Sequence, residues 1–348
     1  VEDRPPFKDA LFAALQHLLA IFVAIITPPL IIAGALKLDV EKTSFLVSMS
    51  LFASGVSTFI QCRRIGPIGA RLLCIQGTSF SFIGPIIATG LVGGLPLIFG
   101  SCIAAAPIEM VVSRTFKYLR NIITPLVSGI VVRLIGLSLI KVGIVSCGGG
   151  YSAMDDGSFG SWENLSIAAL VLLSVLFFNR CKNKYLRMSS IVFGLCLGYG
   201  LAFALGKVNM SALNVEMLMS FNIPQPFKYG VDFNISSFIA IGLVYLITAI
   251  EATGDVTANS MISGLPIEGD SYQKRISGGV MADGFNSFLA GVFNSFPNSI
   301  FAQNNGIIQL TGVASRYVGY YIAAMLVLLG LFPIVGAVFS LIPDPVLG

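Results

Sequence analysis

Two carboxylates stand four residues apart, Glu251 and Asp255, at the end of the apolar run ISSFIAIGLVYLITAIEATGD. Residues i and i+4 of a helix share one face, so both acids aim at the same place. An ionisable group within a membrane segment marks a functional site by default. About sixteen helical residues precede Glu251, which places it some 24 Å along the segment at 1.5 Å per residue. The stretch that follows, VTANSMISGLPIEGD, is polar, so an interfacial cap facing headgroups is the competing reading. Two acids on one face in a low-dielectric site repel each other and are poorly solvated, so one of them is expected to hold a proton near neutral pH. Such a group can take up and release a proton near neutral pH.

Two other places carry polar side chains within apolar sequence. Gln16 and His17 lie in the first apolar run, and Gln303, Asn304 and Asn305 follow one another in FAQNNGIIQLTG. A single buried histidine serves as readily for an interhelical hydrogen bond as for a ligand. The Gln-Asn-Asn run would read as a plain loop but for the membrane-length apolar sequence on both sides.

These residues need elements to hold them, and composition says which kind. Of 348 residues, 55% are apolar and 11% charged, with mean hydropathy +0.86, whereas soluble domains carry about 25% charged residues. This is an all-α polytopic membrane protein. Hydropathy gives about eleven segments: 11–34, 44–61, 72–90, 94–112, 122–142, 164–179, 187–206, 235–254, 276–293, 297–311 and 316–341. With a cytoplasmic N-terminus, fifteen of the 21 Lys and Arg residues fall in inside loops, five in outside loops and Arg133 within a segment. That bias follows the positive-inside rule and predicts a multi-pass plasma-membrane protein, the inner membrane in a bacterium. The first run continues a Pro-rich charged leader and does not end in a small-residue cleavage site, so a removable signal peptide is not expected.

The six cysteines form no CxxC pair and have no histidine partner, so they read as small apolar filler and no metal or other cofactor is expected. A net charge of +4 is too small to imply a nucleic-acid partner. With one histidine and no GxSxG, the chain lacks the machinery of a membrane hydrolase or metalloenzyme.

The third and tenth segments, LLCIQGTSFSFIGPII and FNSFPNSIFAQNNGIIQL, are both short and interrupted by Gly, Pro, Ser or Asn, and they lie seven segments apart. Paired broken segments are the mark of an inverted repeat with discontinuous helices. By the same offset the first segment, with His17, pairs with the eighth, with Glu251 and Asp255. Freed backbone groups at such breaks are tolerated where they line protein or a wet cavity, and half-helix N-termini offer positive dipole ends to a polar ligand.

At these positions the chain resembles the nucleobase ascorbate transporter family, also called the second nucleobase cation symporter family. QNNGIIQLTG at 303–312 fits the family pattern [QE]-N-x-G-x-x-x-x-T. EATGD at 251–255, QKRISGGVMADGFNS at 273–287, GVASRYVG at 312–319, QHLLA at 16–20 and LIKVGIVSCGGGY at 139–151 are similar to bacterial members, above all the proton-coupled xanthine and purine permeases. The resemblance implies fourteen segments in two inverted halves of seven, divided into a core (segments 1–4 and 8–11) and a gate (5–7 and 12–14). Residues 1–120 and 208–348 then correspond to the two parts of the core and 121–207 to part of the gate, with segments 12–14 absent from this chain. It further implies a homodimer in the lipid bilayer that imports xanthine or a related purine by alternating access, with a proton as coupling ion.

Carried over by position, Glu251 is the carboxylate that accepts hydrogen bonds from ring N–H groups, and Gln303 is the amide that reads another edge of the base. A purinedione presents adjacent N–H donors and C=O acceptors, which an anionic acceptor and an amide can address together. Phe80 is expected to stack on the ring, with Ser79 and Ala302 supplying contacts at the breaks and His17 shaping the site. Asp255, Asp283 and Asn304 are tied to proton coupling and core organisation. Asp at 255 and Gln at 303 lean towards purines over uracil; Ser79 occupies a position that tunes which purines are accepted. Urate or uracil symport, and anion transport on the same architecture as sulfate and bicarbonate carriers, are the alternatives; anion carriers are expected to lack the Glu251 and Gln303 pair.

Arg133, in ITPLVSGIVVRLIGLSLI, stands where the family usually has an aliphatic residue or Thr. A central charge costs about 2.5–3.5 kcal/mol on insertion scales. Arg133 is therefore expected to face the core, pair with an acid or line the aqueous path, and bias one conformation. Arg71, where relatives have small residues, is expected to add to the cytoplasmic charge.

Overall fold

The computed structural model describes residues 1–119, 125–183, 186, 187, 189–208 and 221–348. The expected boundary at 120/121, together with Arg120 and Lys184 of the charge reading, lies outside these residues.

A Pro-rich leader runs into α1 (Phe7–Ala35), and α2 (Val40–Arg63) follows after a turn capped by Asp39, whose side chain accepts from Lys42 N at 2.7 Å. The chain then becomes extended as β1 (Gln76–Thr78), passes through a 3₁₀ turn (Phe80–Phe82) and enters α3 (Ile83–Leu119). Next come α4 (Pro125–Cys147), the short α5 (Gly150–Asp155), α6 (Trp162–Asn179) and α7 (Ser190–Ala204). The second half begins with α8 (Ile235–Ile262) and α9 (Gly269–Val292), then β2 (Asn298–Ile300) and α10 (Ala302–Thr311). It closes with α11 (Arg316–Leu331), α12 (Pro333–Ser340) and α13 (Asp344–Leu347).

Among the described residues, five helical stretches are long and apolar enough to cross a membrane, and a sixth arises if α11 and α12 count together. The expected third and fourth segments are one element, Phe80–Thr115, broken at Gly93 and Gly94. Gly94 has φ +65°, open to glycine without strain, so the chain bends there without a loop. Up to that break α3 has ten residues, and α10 has ten in all, about 15 Å each and half of a ~30 Å hydrocarbon core. The expected eleventh segment is bent by 74° between α11 and α12, where Pro333 cannot continue the backbone ladder.

The centre of the molecule is the two-stranded crossing. β1 and β2 pair antiparallel with Gln76 opposite Ile300 and Thr78 opposite Asn298. Ser79 N donates to Pro297 O and Phe301 N to Ile75 O, both at 2.9 Å, so the pairing extends past each strand. Gly77 is required here: a Cβ would meet the Phe301 ring at 2.5 Å and Ile25 Cγ1 at 2.7 Å. Three apolar clusters flank the crossing. One joins α1, α2 and α11 through Ile21, Leu51 and Ile322; the second joins the 3₁₀ turn and α3 to α8 through Phe82, Phe99 and Tyr245; the third joins α8 and α9 through Val256 and Val280.

Candidate functional site

Each strand of the crossing leads into a helix N-terminus, β1 into the turn at Phe80 and β2 into α10 at Ala302. The antiparallel pairing sets these two ends at opposite ends of the ribbon, about 10 Å apart for three residues of strand. The first N–H groups of each helix have no partner within it, so both ends offer donors and a partial positive charge at one level of the fold.

Onto this level α8 projects its acids. Asn234 starts the helix by accepting from the amides of Ser236 and Ser237, which sets the rotation of the residues that follow. Four turns on, Glu251 is half-buried and accepts from Ser81 Oγ at 3.3 Å, so it faces the break in the third segment. Ser81 was not among the expected site residues. One turn further Asp255 is buried, its Oδ2 without a hydrogen-bond partner and its backbone carbonyl accepting from Asn305 Nδ2 at 3.4 Å. Asn259 completes the series, donating to Leu73 O and to Asn305 Oδ1, both at 2.9 Å. Sequence reasoning passed over Asn259, although the i+4 spacing from Asp255 reaches it.

The expected residues fall into two layers. Glu251, Phe80, Ala302 and Gln303 retain accessible surface, and among the described residues the Gln303 amide has no hydrogen-bond partner. Ser79 is buried beside Phe80. His17, Asp255, Asp283 and Asn304 are buried. Asn304 Nδ2 donates to Leu73 O at 2.5 Å, tying α10 to the chain ahead of β1. His17 is enclosed on α1 beside Asn304, with neither ring nitrogen in a well-formed hydrogen bond.

Asp283 belongs to a polar ladder on α9 that grips both strands. It accepts from Gln76 Nε2, while Asn286 Nδ2 donates to Gln76 Oε1 at 2.5 Å and to Ser57 O at 3.2 Å. Ser287 Oγ donates to Asn298 O at 2.9 Å, and Asn298 Nδ2 donates to Ser57 Oγ at 2.8 Å. Gln76 and Asn286 went unrecognised; the only signal was Asn286 one turn beyond Asp283 on the same helical face. A further buried acid, Glu109 on α3, also went unnoticed.

Arg133 is exposed on α4, and among the described residues it has no ion pair, so the expected pairing with an acid is not found. Arg71 does more than add charge: its Nε donates to Glu2 Oε1 at 3.0 Å, and the other oxygen of Glu2 pairs with Arg316 at 2.9 Å. Arg316 holds the Glu2 carboxyl below its usual range. A cavity of about 730 Å³ lies away from the crossing, lined by Arg64, Arg114, Glu268, Asp270, Tyr272 and Lys274 among others. None of the expected site residues lines it.

The sequence model of the Permease family matches residues 8–348. The chain is 50% identical to the xanthine permease XanP of Escherichia coli (strain K12), covering all of this chain and 77% of that protein. It is 49% identical to the xanthine permease XanQ of the same organism, covering all of this chain and 76% of the other. Identity to the uric acid permease PucJ of Bacillus subtilis (strain 168) is 35%, over 96% of this chain and 74% of that one. Among solved structures, the transmembrane domain of the cyanobacterial bicarbonate transporter BicA superposes with TM-score 0.67 at 14% identity, covering 97% of this chain and 84% of that one. SLC26A9 gives TM-score 0.60 at 11% identity, covering 97% of this chain and 58% of its own. At these identities the likeness to both structures is one of fold.

Proposed function

Because the chain belongs to the permease family of nucleobase and ascorbate transporters, we propose that it imports xanthine or a closely related oxopurine, held between Glu251 and Gln303 at the strand crossing. The observation that carries this reading is the meeting of the two broken segments beside Glu251. The strand pairing joins the two broken segments, Glu251 accepts from Ser81 at the first of them, and the accessible Phe80 ring and the unpartnered Gln303 amide stand at the helix starts that follow the two strands. A purinedione needs acceptors for its ring N–H groups and donors for its carbonyls, and both are at hand. Phe80 offers the face on which the ring stacks.

Coupling to a proton is part of the proposal. Asp255 is buried one turn from Glu251 with an unpaired oxygen, and a buried carboxylate without a partner is costly unless protonated. Movement follows a seven-plus-seven inverted repeat. Residues 1–120 and 208–348 form a core that carries the site and shifts against a gate, of which 121–207 is a part. Arg133, exposed on the gate side, biases one conformation of that shift. The whole protein works as a homodimer in the plasma membrane with its N-terminus cytoplasmic, the side on which the Glu2, Arg71 and Arg316 cluster then lies.

Anion transport is the reading that the fold neighbours favour, since one of them carries bicarbonate. The carboxylate of Glu251 opposes it, because an acid facing the site repels an anion. Uptake of radiolabelled xanthine into cells expressing the full permease decides, with unlabelled guanine, urate, uracil and bicarbonate as competitors and a protonophore as the second arm. Saturable xanthine uptake collapsed by the protonophore is the expected result. Uptake indifferent to the proton gradient removes the symport reading, and preference for uracil or bicarbonate removes the purine reading.

A further inference from the structure

Glu109 lies on α3 with zero exposure, and neither carboxyl oxygen has a hydrogen-bond partner. It lies beside the Asp283 carboxyl on α9 and near the Thr248 hydroxyl of α8. Asp283 also has zero exposure; one oxygen accepts from Gln76 and the other has no partner. The helices are locked at this contact, since a Cβ on Gly284 would come within 3.1 Å of Ala106 O and of Glu109 Cβ. The titratable groups around the pair are Glu251, Asp255 and Tyr245 of α8, Cys102 of α3 and Cys74 ahead of β1, with no Lys or Arg among them. Two adjacent carboxylates sealed from water, without a cation, could not both be charged at tolerable cost. A single proton between them turns the unpartnered oxygens into a donor and an acceptor.

We infer that Glu109 is a positioning residue that shares one proton with Asp283, and that this O–H···O bond holds Asp283 in place to grip Gln76 and the strand crossing. The functional consequence rests on the transport reading above; the shared proton does not. Asp283 fixes β1 through Gln76, and β1 fixes the turn whose Ser81 donates to Glu251. Glu109 thus acts on the substrate site through three other residues and touches no substrate.

Thermal unfolding of the full protein in detergent across pH, compared for the wild type, Glu109→Gln, Asp283→Asn and the double variant, reads the proton directly. A proton held in the fold and released on unfolding stabilises at low pH, and that stability declines as pH rises. Glu109→Gln should flatten the decline by one proton, because its amide donates to Asp283 at every pH. Asp283→Asn should flatten it by the same amount, and the double variant by no more. An unchanged slope in both single variants overturns the shared proton, as does a double variant that loses two. For the positioning role the readout is xanthine uptake: Glu109→Gln should retain most of it, whereas Glu109→Leu, which leaves Asp283 buried and unpaired, should lower it roughly tenfold or more. Equal damage in both variants overturns that role. Absence of uptake by the wild type would instead count against the transport reading and leave the unfolding slopes to decide the proton.

Discussion

The accessible rim of the crossing and the buried ladder beneath it differ in what their polar groups bind. On the rim, Glu251 accepts a single bond from Ser81 and Gln303 accepts and donates none among the described residues. In the ladder, Gln76 engages Asp283, Asn286 and Thr58, and Asn298 engages both Ser287 and Ser57. Spare hydrogen-bonding capacity at an accessible surface is what a ligand can take up; the bonds that tie α9 and α2 to the two strands inside are what hold the crossing still. The two layers should therefore fail differently when changed.

The largest expected effect is on the rim. Glu251→Gln replaces an acceptor with a group that presents N–H donors to ring N–H donors, and xanthine uptake should fall at least about a hundredfold without loss of folded protein. Next comes the ladder: Gln76→Leu leaves Asp283 and Asn286 buried and short of a partner, at about 1–3 kcal/mol of stability, seen as a lower melting temperature and less protein in the membrane. Asp255→Asn sharpens the boundary between layers, because it removes a titratable group yet preserves shape. Substrate exchange between equal concentrations should continue while uptake driven by a proton gradient falls. A variant that loses exchange as severely as net uptake would place Asp255 on the rim.

Legibility from sequence follows the same division. The i, i+4 spacing in EATGD announced Glu251 and Asp255 because charges within an apolar run are conspicuous. Asn259 obeys the same spacing and is as central to the packing of α8 against α10, yet an uncharged side chain gives hydropathy little to register. Gln76, Asp283 and Asn286 meet across some two hundred residues, a contact that only the inverted pairing of the strands creates, and periodicity within one element cannot report it. The broken third and tenth segments were legible from their Gly, Pro and Asn content, whereas QGT at 76–78 as strand was not. Its residues are buried all round and therefore lack the alternation that marks a half-exposed strand. Arg133 was conspicuous for the same reason, but its cost in an apolar run did not say what it meets: the side chain is exposed, and among the described residues it has no ion pair.

The smallest expected effect lies at the leader. Glu2 bridges Arg71 and Arg316, and Arg316 lowers its carboxyl's proton affinity. Any stability from this pair is present above the carboxyl's ordinary range and lost as pH falls through the depressed value. Glu2→Gln should lower the melting temperature slightly at neutral pH and not at all in acid, because an exposed ion pair contributes little. A difference that persists in acid would mean that Glu2 acts through packing instead of charge.

Equilibrium binding of xanthine to the purified full permease, measured with melting curves on the same samples of wild type, Glu251→Gln and Gln76→Leu, tests the central claim most directly. Glu251→Gln should melt like the wild type and not bind, while Gln76→Leu should melt earlier and its folded fraction should still bind xanthine, more weakly than the wild type because β1 and the turn at Ser81 lose their grip. Wild-type affinity in Glu251→Gln would contradict the assignment of base recognition to that carboxylate.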